Sequence, residues 1–182
     1  FNGTEFNADI LQDSLGTEVA QASIKDSRGV LWFGYQSGDI AKYDGTAFYT
    51  IRTGVGITSA VTGFAALEDG NLIVSTQSNG LFNLNVQTGT ANPVSGIDQG
   101  LFTALSVKGK MLLLGSMDGL TIYTIDGTGT GAEVLIKIPE FDLIKIQEIQ
   151  PSYAENTFWI ATEEDGIFRI TLKGSTYDLT KT

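Results

Sequence analysis

One stretch of chain recurs four times, and that repeat constrains the fold more than any other feature. The first copy runs Ile24-Lys25-Asp26-Ser27-Arg28-Gly29-Val30-Leu31-Trp32-Phe33-Gly34 and leads to Ile40-Ala41-Lys42-Tyr43. The second runs from Leu67 to Ser75 and leads to Leu81-Phe82-Asn83-Leu84. The third runs from Val107 to Gly115 and leads to Leu120-Thr121-Ile122-Tyr123. The fourth is Asn156-Thr157-Phe158-Trp159-Ile160-Ala161, leading to Ile167-Phe168-Arg169-Ile170. Trp32, Ile73, Leu113 and Trp159 correspond, at successive spacings of 41, 40 and 46 residues.

A period near 41 residues matches a four-stranded propeller blade; helical repeats of about 34 residues would show apolar positions at i, i+3, i+4 and i+7, and no segment does. Each unit divides into four strands. The innermost is built of small and aliphatic residues (Ala20–Ile24, Val61–Leu67, Phe102–Val107, Ile144–Ile149), and the second is strongly apolar. The third alternates, and the outermost is more polar. Asp-Gly at 44–45, 69–70, 118–119, 126–127 and 165–166 and Asn-Gly at 79–80 supply the tight hairpin turns. Glycine is accordingly high, 22 of 182 residues. The same dipeptides are too sparse in alternating oxygen donors for a calcium loop.

The expected fold is therefore all-β: a β-propeller segment of four four-stranded antiparallel blades, at about 18–52, 59–95, 101–139 and 143–181. Phe1-Asn2-Gly3-Thr4-Glu5-Phe6 aligns with Tyr43-Asp44-Gly45-Thr46-Ala47-Phe48, so residues 1–8 read as an extra outer strand of a preceding blade. The array then belongs to a larger ring of about seven blades, with a closed four-bladed ring or a pair of half-rings as alternatives.

Composition narrows the chemistry. There is no cysteine and no histidine. Disulfides, thiolate or imidazole metal sites, cysteine nucleophiles and Ser-His-Asp catalysis are thereby excluded. A net charge of −10 disfavours nucleic acid and anionic membrane surfaces as partners. No run approaches the roughly 18 apolar residues of a membrane-spanning helix, so no membrane insertion is expected.

The first unit resembles the two-component regulator propeller repeat, whose Ile-x-x-Asp-x-x-Gly-x-Leu-Trp-x-Gly-Thr core is followed by a strand ending in Tyr-Asp. Asp26, Gly29, Leu31-Trp32, Gly34 and Tyr43-Asp44 carry the likeness, with Tyr35 in the place of threonine. The fourth unit keeps Trp159, Ala161-Thr162 and Asp165-Gly166-Ile167. The resemblance implies a periplasmic or extracellular bacterial module that senses glycan fragments, or a surface or secretion-associated scaffold with a protein partner or a second copy of itself.

The repeat assigns Trp32 and Trp159 to the cores between blades. Ligand contacts are expected instead on the rim formed by the second-to-third strand hairpins. The candidates are Tyr35, Gln36, Gln77, Asn79, Met117, Asp118, Glu163 and Glu164, whose amides and carboxylates suit a hydroxyl-rich ligand such as an oligosaccharide. No cofactor, metal or catalytic residue is expected. Adjacent Glu163 and Glu164 would diverge on a strand, which argues against a glycosidase pair. The connection Pro139-Glu140-Phe141-Asp142-Leu143 is either a protein-partner surface around Phe141 or packs beneath the rim.

Overall fold

The structure, a computed structural model, describes residues 19–51 and 56–182. The proposed outer strand at 1–8 lies outside the described residues. Among the described residues, sixteen strands form four antiparallel sheets in simple meander order. The first blade is β1 (Ala20–Lys25), β2 (Leu31–Tyr35), β3 (Ile40–Tyr43) and β4 (Phe48–Ile51). The second is β5 (Val61–Ala66), β6 (Leu72–Thr76), β7 (Leu81–Leu84) and β8 (Ala91–Pro93). The third is β9 (Phe102–Lys108), β10 (Met111–Ser116), β11 (Gly119–Ile125) and β12 (Ala132–Ile138). The fourth is β13 (Ile146–Pro151), β14 (Thr157–Thr162), β15 (Ile167–Lys173) and β16 (Thr176–Lys181). All four blades match the repeat, and the boundaries differ by a few residues.

The inner strands β1, β5, β9 and β13 pack in succession around one axial cavity of about 520 Å³. Three apolar clusters fill the three spaces between neighbouring blades. Each combines the forward face of one blade with the rear face of the next. Trp32 and Ile40 meet Leu72 and Val74; Ile73 and Leu81 meet Leu112 and Leu114; Leu113 and Leu120 meet Phe158 and Ile160. Strands β6 and β7 are buried at every position because the second blade is covered on both faces. Strand β14 alternates instead.

Small residues admit the next blade. A Cβ on Gly34 would fall 2.3 Å from a methyl of Val61, and one on Gly115 would fall 2.6 Å from Cβ of Ile146. Ser75 and Ala161 occupy the same place in the second and fourth blades.

The Asp-x-x-Gly-x-Leu-Trp motif of the first blade has a direct physical account. Asp26 is 5% exposed and sits at the β1–β2 turn. Its Oδ1 accepts the amides of Arg28 and Val30 at 2.9 and 3.0 Å. Its Oδ2 accepts the Trp32 indole N–H at 3.1 Å and the Arg28 guanidinium at 3.0 Å. The carboxylate therefore closes the hairpin and orients the tryptophan that packs on the second blade. Burial pushes its pKa up, but the donors from Trp32, Arg28 and Val30 outweigh burial and hold it below the usual carboxylate range.

One expectation changes, and one left open is decided. Trp32 is fully buried, but Trp159 is 37% exposed, because among the described residues no further blade covers the forward face of the fourth. Phe141 is fully buried. A 3₁₀ turn at Pro139–Phe141 folds its ring edge-on against Phe168 at 5.0 Å, which removes it as a partner surface; Leu143 is the large apolar side chain that this connection exposes. Of the Asp-Gly turns, Gly45, Gly70, Gly119 and Gly166 take positive φ as the hairpins require. At Asp126-Gly127 the positive φ falls on Gly129, while Asp126 Oδ1 accepts the amides of Thr128 and Thr130.

Candidate functional site

A β-bulge recurs at the same place in all four inner strands. Pairing with the second strand skips one residue between Ala20 and Ala22, Val61 and Gly63, Phe102 and Ala104, and Ile146 and Glu148. The extra residues are Gln21, Thr62, Thr103 and Gln147. A bulge leaves one residue outside the ladder and re-aims its side chain. Here it repeats with polar side chains in every blade, and all four line a cavity of about 440 Å³ at one end of the axis.

The hairpins after the second strands complete the rim. Gln36, Gln77, Met117 and Glu163 are the equivalent first residues of those hairpins. The Gln77 amide donates to the Ala60 carbonyl at 2.8 Å and the Glu163 amide to the Lys145 carbonyl at 3.1 Å, so each hairpin is fastened to its inner strand. Gln36 and Gln77 line the cavity, along with Lys145, Leu101 and Phe102. Glu163 acts on it indirectly. Its Oε1 accepts Lys145 Nζ at 2.7 Å and Gln147 Nε2 at 3.2 Å. The cavity wall thus carries a cation already matched by a carboxylate, amides that both donate and accept, and threonine hydroxyls. Thr62 Oγ1 shares a hydrogen bond with Ser75 Oγ at 3.0 Å, and Thr103 Oγ1 donates to the Ile146 carbonyl. These bonds fix the wall in place.

The other sequence candidates fall elsewhere. Tyr35 ends β2 and is buried. Asn79 Oδ1 accepts the amide and hydroxyl of Thr58, at 2.9 and 3.0 Å, and so secures the connection between the first two blades. Met117 and Asp118 form the exposed hairpin of the third blade, where the Asp118 amide donates to Ser116 Oγ. Glu164 is exposed on the fourth hairpin. None of these five lines the cavity. Gln21, Thr62, Thr103, Gln147 and Lys145 were missed by sequence reasoning. Gln21, Thr62, Thr103 and Gln147 fill one column of the aligned repeat that is polar in all four units, between apolar or small neighbours in the first three and between Ile146 and Glu148 in the fourth, and that column carries the information.

Among the described residues no group of three or more acidic side chains is placed to hold a metal, and no helix is long and apolar enough to cross a membrane.

The four sheets are WD40-like β-propeller blades, and the chain is all-β. No family model and no curated protein sequence matches it. Among solved structures it is similar to the computationally designed Ika8 protein, with TM-score 0.66, 17% identity and coverage of 87% of this chain and 47% of that one. It is also similar to the designed Ika4 protein, with TM-score 0.64, 18% identity and coverage of 91% and 92%. The RRP9 WD40 repeats match with TM-score 0.67, 12% identity and coverage of 91% and 52%. The chain spans about half the length of Ika8 and of the RRP9 repeats and nearly all of Ika4. At these identities the likeness concerns the fold.

Proposed function

We propose that the chain is a non-catalytic binding module that takes a neutral, hydroxyl-rich ligand, an oligosaccharide end or similar polyol, in the axial rim cavity. The observation that carries this reading is the fourfold bulge, which aims Gln21, Thr62, Thr103 and Gln147 into one recess beside Gln36 and Gln77. Side-chain amides give and receive hydrogen bonds in pairs, as vicinal hydroxyls do. Lys145 is balanced by Glu163, so an anion gains little there, and a cation meets no free carboxylate among the lining residues. The cavity volume of about 440 Å³ lies within the usual 300–1,000 Å³ range of small-ligand sites. Glu163 is committed to Lys145 and Gln147, which supports binding over acid–base chemistry. The repeat of the first blade, with its likeness to the two-component regulator propeller, supports placing the module in a periplasmic or extracellular bacterial sensor.

A glycan microarray, followed by calorimetry on each hit, tests the proposal. Binding should be weakened at least tenfold by Gln77→Ala and by Gln147→Ala and left unchanged by Glu164→Ala. Absence of binding to any glycan, or hits insensitive to both cavity variants, would refute it.

A further inference from the structure

The fourth blade ends in a face built like the three that are covered. Trp159 and Ile167 stand where the other blades place fully or almost fully buried side chains, yet they are 37% and 50% exposed. Between them Ala161 keeps the slot small, as Gly34 and Gly115 do where the next blade's inner strand enters. A forward face therefore persists with its apolar pair and its entry slot, and nothing among the described residues fills it.

The matching surface is on the first blade. Leu31 and Phe33 occupy the rear-face positions that are buried in every later blade, and they are only partly buried. Ala20 is the counterpart of Val61 and Ile146, the residues that enter the slots, and it is exposed. Among the described residues these two faces are not packed on each other as neighbouring blades are: β13 packs against β9 and β10, while β1 packs against β2 and β5.

We propose that the forward face of the fourth blade docks the rear face of the first blade of a second copy of this chain, head to tail. The occupant is argued from continuity with the three interfaces already present. A second copy presents Leu31 and Phe33 in blade register and brings Ala20 to the Ala161 slot. Two such contacts close a pair symmetrically.

The geometry of the existing interfaces sets the test. A Cβ at Gly34 or Gly115 lies 2.5 or 2.6 Å from Cβ of Val61 or Ile146, so the position-161 and position-20 Cβ atoms of two docked chains come within disulfide reach, about 3.5–4.5 Å. The chain has no native cysteine. Light scattering of the full chain should give twice the monomer mass. Trp159→Glu and Ile167→Glu should return it to monomer with the β circular dichroism intact, and Tyr153→Glu, on an exposed hairpin elsewhere, should not. An equimolar mixture of Ala20→Cys and Ala161→Cys chains should cross-link into dimers on mild oxidation, and neither variant alone should do so. Dilution through the dissociation range should raise iodide quenching of Trp159 in a Trp32→Phe background. A monomeric wild-type chain would overturn the proposal, and so would dimers formed by Ala161→Cys alone. A cross-link within one chain of the double-cysteine variant would overturn it too, showing that the four blades close on themselves.

Discussion

Replacing Asp26 by alanine removes one buried carboxylate and four hydrogen bonds at once. The Arg28 guanidinium is half exposed and regains water, so its loss costs about 0–1 kcal/mol. The two turn amides are partly buried and recover part of their solvation. The Trp32 indole N–H is different, because Trp32 is fully buried and its donor is left unsatisfied, at about 1–3 kcal/mol. The sum is a loss of about 2–4 kcal/mol. Urea unfolding followed by circular dichroism measures it as a fall in midpoint at constant slope. A double-mutant cycle isolates the central bond. Trp32→Phe removes the donor, so Asp26→Ala should cost about 1–2 kcal/mol less in the Trp32→Phe background. A loss under about 0.5 kcal/mol, or full additivity of the two changes, would refute the assignment of Asp26 as the residue that fixes the hairpin and its tryptophan.

Two further outcomes follow from the packing and the charges. Gly115→Val places methyl groups where Ile146 already sits 2.6 Å from the first added carbon, so it should destabilise by about 1–3 kcal/mol in urea unfolding, whereas the same change at exposed Gly174, whose φ of +67° carries only backbone strain, leaves the blade contacts unaltered. Burial, reinforced by a hydrogen bond from Tyr177 to Glu140 at 2.5 Å and by the charge of that carboxylate, pushes the Tyr177 phenol up to about 12. A raised folded-state pKa means stability that is complete below the unfolded value near 10 and lost between about pH 10 and 12. Glu140→Gln should therefore bring the phenolate titration of Tyr177 down towards 10 and flatten that alkaline loss, as followed by ultraviolet absorbance and urea unfolding.

The period of the repeat made the blades legible, down to which strand is innermost. A buried strand between two blades must be apolar on both faces, and β6 and β10 carry that composition openly. The rim was legible in part. Gln36 and Gln77 follow directly from counting past the second strand, because hairpin position is a matter of chain order. The bulged residues were not read from alternation, since a bulge breaks the period of two that strand reading relies on. Trp159 illustrates a second boundary. It aligns with Trp32 in the repeat, but Trp32 is held by Asp26 and covered by the second blade, whereas the fourth blade has Ser152 near its turn and no described neighbour over its forward face. Alignment assigns a residue to a face; burial depends on what meets that face. Phe141 was open to either reading because Pro139 starts a turn whose direction depends on contact with Phe168.

The axial recess is the centre of the account, and amide-resolved NMR during titration with the tightest-binding microarray glycan tests it most directly. Shifts should concentrate on Gln21, Thr62, Thr103 and Gln147 and on the side-chain amides of Gln36 and Gln77, while Met117, Asp118 and Glu164 stay still. Shifts confined to the outer hairpins, or none in the bulged residues at saturation, would contradict the assignment.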